Sequence, residues 1–317
     1  MKRMLVGALL ALLSLSALAQ FPERPVRIIV PLPPGGSPDT IARTLSQSLQ
    51  TNWGQAVVVE NRTGGSQNIG ADAVAKSAPD GYTWLVSPEN VFTSNPYLSK
   101  QPFDPFTDLA PVTQLARIHF LLVVHPSVPA TNVQELIAYA KANPGTLNFG
   151  SSGTGSPQQL GIVLLQQITG TQMNHVPYKG AAFAVGDLLP GRIQVWMGAA
   201  NSLLPHIREG KIRLLAVAGS RRFGGMPDVP TVAEAGVPGF ALDTWLGLFL
   251  PAKVPAKTSE RIHAEVVKIL NAPELKARFA AQGIDVETNQ PAEMTRFIRD
   301  ENARWGKVIR EAGIKGE

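Results

Sequence analysis

Two glycine-rich turns carry the residues of this chain best suited to chemistry. The first reads Pro31-Leu32-Pro33-Pro34-Gly35-Gly36-Ser37-Pro38-Asp39, the second Gly150-Ser151-Ser152-Gly153-Thr154-Gly155-Ser156-Pro157-Gln158. Each follows an apolar run and ends in Ser-Pro before a stretch of helical periodicity, the pairing of an N-cap serine with a proline at the first helical position. Ser156 and Gln159 also have the spacing of a capping box. The first N–H groups of a helix have no partner inside it, and the helix dipole adds about half a positive charge there. Glycines before such a start let an anion approach the backbone closely. Two of these turns, with hydroxyls from Ser37, Ser152, Thr154 and Ser156, can hold a carboxylate without an arginine. Asp39 lies in the first turn of its helix, where a carboxylate orders the loop and an anionic ligand would repel it.

Other chemistries fail on spacing. No Gly-x4-Gly-Lys-Ser/Thr run is present, and Gly153-Thr154-Gly155 lacks the third glycine of a dinucleotide fingerprint. Gly150-Ser151-Ser152-Gly153-Thr154 fails the nucleophile-elbow pattern at its last position. The enzymatic alternative is therefore a serine esterase with Ser152 as nucleophile and His175, His206 or His263 as base. The remaining histidines are His119 and His125, and no pair among the five has metal-ligand spacing. With no cysteine there is no thiol nucleophile, thiolate metal site, disulfide or lipobox. The expectation is a binding protein with no catalytic residue, metal or cofactor. Arg117 and His119 flank Ile118 where a first domain passes into a second, placed to meet a second acidic group on a ligand. Trp245 precedes a second crossover and is placed to roof the ligand. Ser87, Asn90, Tyr178 and Asn201 complete the candidate ligand-binding set.

The elements that must position these residues follow from periodicity. Strands are expected over 26–30, 56–60 and 82–86, with helices from the first turn to about Thr51 and over 68–77. This βαβαβ rhythm predicts an α/β fold with mostly parallel sheets and helices on both faces. The rhythm restarts with strands at 120–125, 147–150, 194–197 and 214–218 and helices over 133–143 and onward to Thr169. Helices over 260–271, 273–282 and 291–312 close the chain. Both glycine turns then lie at the carboxyl ends of parallel strands, where open α/β sheets bind ligands.

Composition agrees with a globular exported chain. Of 317 residues, 44% are hydrophobic and 17% charged, which excludes disorder and coiled coil. Lys2 and Arg3, the apolar stretch 4–18 and Ala17-Leu18-Ala19 form a secretory leader, cleaved after Ala19. That leader carries two of the basic residues behind the net charge of +5. The rest contains no basic run longer than Arg221-Arg222, so a nucleic-acid partner is not expected.

In order behind that leader stand Pro33-Pro34-Gly35-Gly36-Ser37-Pro38-Asp39, Val58-Val59-Glu60-Asn61-Arg62, Asn68-Ile69-Gly70-Ala71 and Ala78-Pro79-Asp80-Gly81-Tyr82-Thr83. Further on come Ser151-Ser152-Gly153-Thr154-Gly155-Ser156, Val176-Pro177-Tyr178-Lys179-Gly180, the segment 227–236 and Trp245-Leu246-Gly247-Leu248-Phe249. Together these motifs resemble the substrate-binding proteins of tripartite tricarboxylate transporters, the Bug or TctC-like family. The resemblance implies a two-lobed, type II-like Venus-flytrap protein in the periplasm. Lobe 1 would comprise 20–119 and 240–317, and lobe 2 would comprise 120–239. It further implies closure on a small carboxylate, expected to be di-, tri- or aromatic, and its delivery to integral membrane subunits; a monomer is expected, and the alternative reading is a periplasmic sensor that presents the closed form to a receptor. Its binding loops map onto Gly35, Gly36, Ser37 and Asp39 in one lobe and Ser152, Gly153, Thr154, Gly155 and Ser156 in the other. Two departures stand out. Thr63-Gly64-Gly65-Ser66-Gln67-Asn68 replaces a more glycine-rich segment, and 198–202 lacks an acid often found there. Without that acid, and with Arg117 and His119, the cleft should favour a dicarboxylate or aromatic carboxylate over an amino acid.

Overall fold

The computed structural model describes residues 21–316, so the leader expected over 1–19 lies outside the described residues. Six strands form one sheet: β1 (Val26–Val30), β2 (Val57–Asn61), β3 (Thr83–Pro88), β4 (Leu109–Ile118), β10 (Thr244–Pro251) and β11 (Ile284–Val286). Their order is β11-β4-β10-β3-β1-β2. A five-stranded sheet takes β5 (Phe120–Val124), β6 (Asn148–Ser151), β7 (Asn174–Pro177), β8 (Val195–Ala199) and β9 (Arg213–Val217), in the order β7-β6-β8-β5-β9. Helices α1 (Ser37–Trp53), α2 (Asn68–Ala75), α3 (Asn90–Thr93) and α4 (Asn95–Leu98) follow β1, β2 and β3. Between strands of the second sheet run α5 (Val133–Ala142), α6 (Pro157–Thr169), α7 (Ala181–Leu188) and α8 (Ala200–Arg208). The chain ends with α9 (Ala256–Leu270), α10 (Pro273–Ala280) and α11 (Pro291–Glu311). No helix among the described residues is long and apolar enough to cross a membrane.

Strand register decides where loops can meet. β1 pairs in parallel with β2 and β3, whereas β10 runs antiparallel between β3 and β4, with Leu246 opposite Pro88 and Thr244 opposite Ile118. The ends of β1, β3 and β4 and the start of β10 therefore share one rim. In the other sheet β6 is parallel to β7 and β8, and β5 runs against β8 and β9, with Phe120 opposite Ala199 and Leu121 opposite Val217. The ends of β6, β7, β8 and β9 and the start of β5 share a second rim. Only His119 separates β4 from β5, and one residue spans about 3.8 Å, so the two rims are adjacent. The return crossover, from β9 to β10, joins the same rims. Parallel pairing is confined to β2-β1-β3 and β7-β6-β8, because β5 and β10 each enter their sheet from a crossover and run back.

Burial follows from this placement. All eight residues of β10 and all five of β5 are buried, as expected for interior strands covered on both faces. A single apolar cluster takes in Leu248 and Leu250 of β10, Leu122 and Val124 of β5, Leu160 and Leu165 of α6, and Trp305 and Val308 of α11. Helix α6 packs on α11, and Gln167 donates to the Val308 carbonyl at 3.4 Å. Local signals set the helix ends. Gly54 and Gly170 adopt left-handed φ values of +66° and +68° after α1 and α6, and Gln290 with Glu293 forms a capping box on α11.

Candidate functional site: two glycine loops on adjacent rims

The first loop leaves β1 and turns through Gly35, whose φ of +93° is one that side chains other than hydrogen rarely tolerate. Gly36 caps α1, so Ser37 is the first helical residue, one position later in the helix than its sequence pattern implied. Asp39 is 4% exposed. Its Oδ2 accepts from the Gly35 N–H at 3.0 Å and from Arg43 Nε at 2.9 Å, and its Oδ1 accepts from Asn61 Nδ2 at 3.0 Å. The same Asn61 amide donates to the Leu32 carbonyl at 2.9 Å, so one carboxylate ties both flanks of the loop to β2. Burial opposes its charge, but the hydrogen bonds from Arg43, Gly35 and Asn61 outweigh it and hold its pKa below the usual carboxylate value. Asp39→Ala is expected to cost about 1–3 kcal/mol by leaving these donors unpaired. Carboxylate binding at this loop should weaken about tenfold, read by calorimetric titration. Unchanged affinity in a folded variant would remove the loop from the site.

The second loop leaves β6 and passes through Gly153 at φ +126° and Gly155 at φ +76° into α6. Ser156 is its N-cap, as the sequence implied, but the capping box does not form. Ser156 Oγ is buried without a hydrogen-bond partner, and Gln159 Oε1 instead accepts from the Gly155 N–H at 2.7 Å. Ser152 Oγ donates to Gln158 Oε1 at 2.9 Å and meets no histidine. Ser151 is the serine beside a histidine, its Oγ 2.6 Å from His175 Nε2. Ser151 is fully buried, donates to the Gly153 carbonyl at 3.1 Å, and the far side of His175 faces Gln159 in place of an acid. This arrangement holds the loop from the side of β6 and β7.

Register places the other candidates on the same rims. Ser87 is fully buried at the end of β3 and donates to the Pro88 carbonyl at 3.0 Å, and Asn90 opens α3. Tyr178, just past β7, donates its N–H to the Ser151 carbonyl at 2.9 Å and its hydroxyl to Asp187 at 2.8 Å. Burial and that carboxylate push the phenol up to about 12. Asn201 lies in the first turn of α8, beyond β8. Gly155 packs against Leu98 and Ser94 from the first sheet's rim. Asn95, beside Ser94, donates to Asn68 Oδ1 at 3.0 Å and to the Ser66 carbonyl at 2.7 Å. Gly70 of α2 lies so close to β1 that a Cβ would come 2.8 Å from the Arg62 carbonyl and 2.9 Å from Pro31 Cβ. A packed path thus runs from the base of the first loop to the second.

Arg117, His119 and Trp245 have other surroundings. Trp245 is 1% exposed, packed on Phe92 and Phe297 at ring separations of 6.4 and 5.5 Å, and fills the core where a roof over a ligand was expected. Arg117 pairs with Asp243 and, at 3.2 Å, with Glu287. His119 Nε2 lies 2.7 Å from Asp285, with its ring against Phe223 at 5.1 Å. Arg221, just past β9, pairs with Glu287 as well. Both candidates are thus matched by acids at the chain crossover. The acids were missed in the sequence, although Asp285 and Glu287 have the i, i+2 spacing that shares one face of a strand. Glu89 was missed too. It is wholly buried between Ser87 and Asn90, accepts the Trp245 N–H at 3.3 Å, and burial pushes its carboxyl up to about 8. Burial thus favours the neutral form of this carboxyl near the rim.

Two α/β lobes joined by paired crossovers, with glycine loops on adjacent rims, define a two-lobed periplasmic-binding-protein fold. The model of the tripartite tricarboxylate transporter family receptor, TctC, matches residues 41–314, and the chain belongs to that family. It is 38% identical to Protein BugT of Bordetella pertussis, over 93% of this chain and 91% of that one. It is 36% identical to a UPF0065 protein from the tcbD-tcbE intergenic region of Pseudomonas sp. strain P51, over 98% and 94%. Among solved structures, an R. palustris protein with adipate superposes with a TM-score of 0.88 at 34% identity, covering 94% of this chain and all of that one. MatC from Rhodopseudomonas palustris with bound malate gives a TM-score of 0.81 at 29% identity, covering 91% and 100%.

Proposed function

We propose that this protein is a periplasmic receptor that captures a small dicarboxylate between two lobes, 20–119 with 240–317 and 120–239, and hands it to membrane transporter subunits. The observation that carries this reading is the pair of glycine-serine loops, each opening a helix and each braced from below, on adjacent rims. Gly35, Gly36 and Ser37 would hold one carboxylate end, and Ser152, Gly153, Thr154, Gly155 and Ser156 the other, with Ser87, Asn90, Tyr178 and Asn201 around them. Asp39 acts as the brace of the first loop. The adipate and malate held by two relatives are dicarboxylates of fitting chemistry. Closure follows if the ligand binds the closed form more tightly than the open one.

A thermal-shift screen of the secreted protein against adipate, malate, tricarboxylates, aromatic acids and amino acids tests the reading. A ligand at 100 times its Kd should stabilise the fold by about 2.7 kcal/mol. Malate should exceed its amino analogue aspartate, since the segment 198–202, from the end of β8 into α8, has no acid to meet an ammonium. A screen in which no carboxylate raises the midpoint would overturn it.

A further inference from the structure

The second loop rests on a hydrogen-bond network in which each donor finds an acceptor for one tautomer of one histidine. Gln159 Nε2 lies 3.3 Å from His175 Nδ1 and donates to it, because Gln159 Oε1 is already taken by the Gly155 N–H at 2.7 Å. Nδ1 is then an acceptor and the ring proton resides on Nε2, 2.6 Å from Ser151 Oγ. Ser151 accepts that proton and the Gly153 N–H at 3.2 Å, and donates to the Gly153 carbonyl at 3.1 Å. A neutral imidazole therefore holds Gly153 through Ser151 and Gly155 through Gln159.

Resting on the dicarboxylate reading above, we infer that His175, with Ser151 and Gln159, positions the loop 153–156, and that protonating the imidazole releases the loop and weakens ligand binding. A proton on Nδ1 would face the Gln159 amine. Relieving that conflict requires the amide to turn, which presents the amine to the Gly155 N–H and leaves that N–H without an acceptor. The groups facing the ring are Phe149, stacked at 5.1 Å, and Ser151 from β6, and Gln159 from α6, none of them charged. From α7, packed on β6, Asp187 is taken by Tyr178 and Arg192. Burial is the cause that lowers the ring's pKa from its ordinary 6.5, so release falls below that pH. Ser151 and Gln159 touch the loop and His175 acts through them, so all three are positioning residues.

The test uses the full secreted protein, with adipate as probe. Between pH 7.5 and 5 its Kd should rise about fivefold more in the wild type than in His175→Gln, the size of a lost hydrogen bond. Adipate's own protonation affects both equally. His175→Gln keeps a donor toward Ser151 and cannot take up the proton, so it should bind a few times more weakly at pH 7.5 with a flatter profile. Gln159→Glu can accept from both Gly155 and a protonated ring, so it should move the loss of affinity to lower pH. Parallel profiles for wild type and His175→Gln would overturn the inference. A ligand-free readout separates this failure from failure of the dicarboxylate reading. Nitrogen NMR should show the Nε2–H tautomer and a Gly155 amide that titrates with the ring. An Nδ1–H ring, or a Gly155 amide indifferent to pH, would reject the brace even if no carboxylate bound.

Discussion

Replacing Arg117 with alanine is expected to lower the thermal midpoint at pH 7 by roughly 5 °C, the consequence of losing about 3 kcal/mol. The guanidinium is 17% exposed and pairs with Asp243 and Glu287 at once. Without it Asp243 keeps the Ser220 N–H at 3.0 Å, while Glu287 keeps half-exposed Arg221. Breaking a largely buried pair costs more than the pair was worth, because the remaining charge has no solvent to turn to. The pH dependence distinguishes charge from packing. Burial raises the pKa of Asp243, but the Ser220 N–H and Arg117 outweigh it, and Asp285 is lowered chiefly by its bond to His119. Groups depressed in this way contribute stability above the unfolded value of about 3.8 and lose it as pH falls through the folded value. The gap between wild type and variant should therefore be wider at pH 7 than at pH 3. Equal gaps at both pH values, by calorimetry or urea unfolding, would mean that only packing was lost.

The second large effect has the opposite sign. Glu89 is buried and accepts its own backbone N–H and that of Trp245, and Glu301 on α11, itself raised chiefly by burial, adds like charge. In the unfolded chain the carboxyl ionises near 4.5, whereas in the fold it holds its proton to about 8. Between those values the native state binds more protons, so stability falls as pH rises and levels off above 8. The full span corresponds to about 5 kcal/mol, an upper bound once relaxation is allowed. Glu89→Gln removes the titration and keeps the shape. It should be more stable than wild type at pH 9, by several degrees in Tm, and close to it at pH 5. Stability curves that run parallel from pH 5 to 9 would sink this assignment.

The acids that partner Arg117 and the buried Glu89 were passed over by a linear reading, and the reason is physical. Short apolar runs and Gly-Pro punctuation marked β1, β3, β5 and β6 within one or two residues, because their signals are local. β4 escaped notice although it has ten residues. Pro111, Gln114 and Arg117 break its apolar pattern, and only its position beside β10 and β11 pairs them. α7 and α8 were missed as well, being eight and nine residues long with their apolar faces set by the sheet they cover. Charge partners are less legible still. Arg117 and Glu287 are 170 residues apart, as are many pairs that never meet.

By itself the sequence determined the class of this protein and the chemistry of its loops. Glycines at 35, 153 and 155, with prolines at 38 and 157, can do little other than turn and start a helix, a property of backbone dihedrals that needs no partner. Tertiary structure alone decided which side chains around them are free to meet a ligand. Arg117, His119 and Trp245 could each have reached a cleft, but register put the first two beside three acids and the third inside the core. Asp39 and His175 carry no local mark of their tasks. They became braces because β2 brings Asn61 under one loop and β7 brings an imidazole under the other. Burial and pairing depend on long-range contacts, and a linear reading does not contain these.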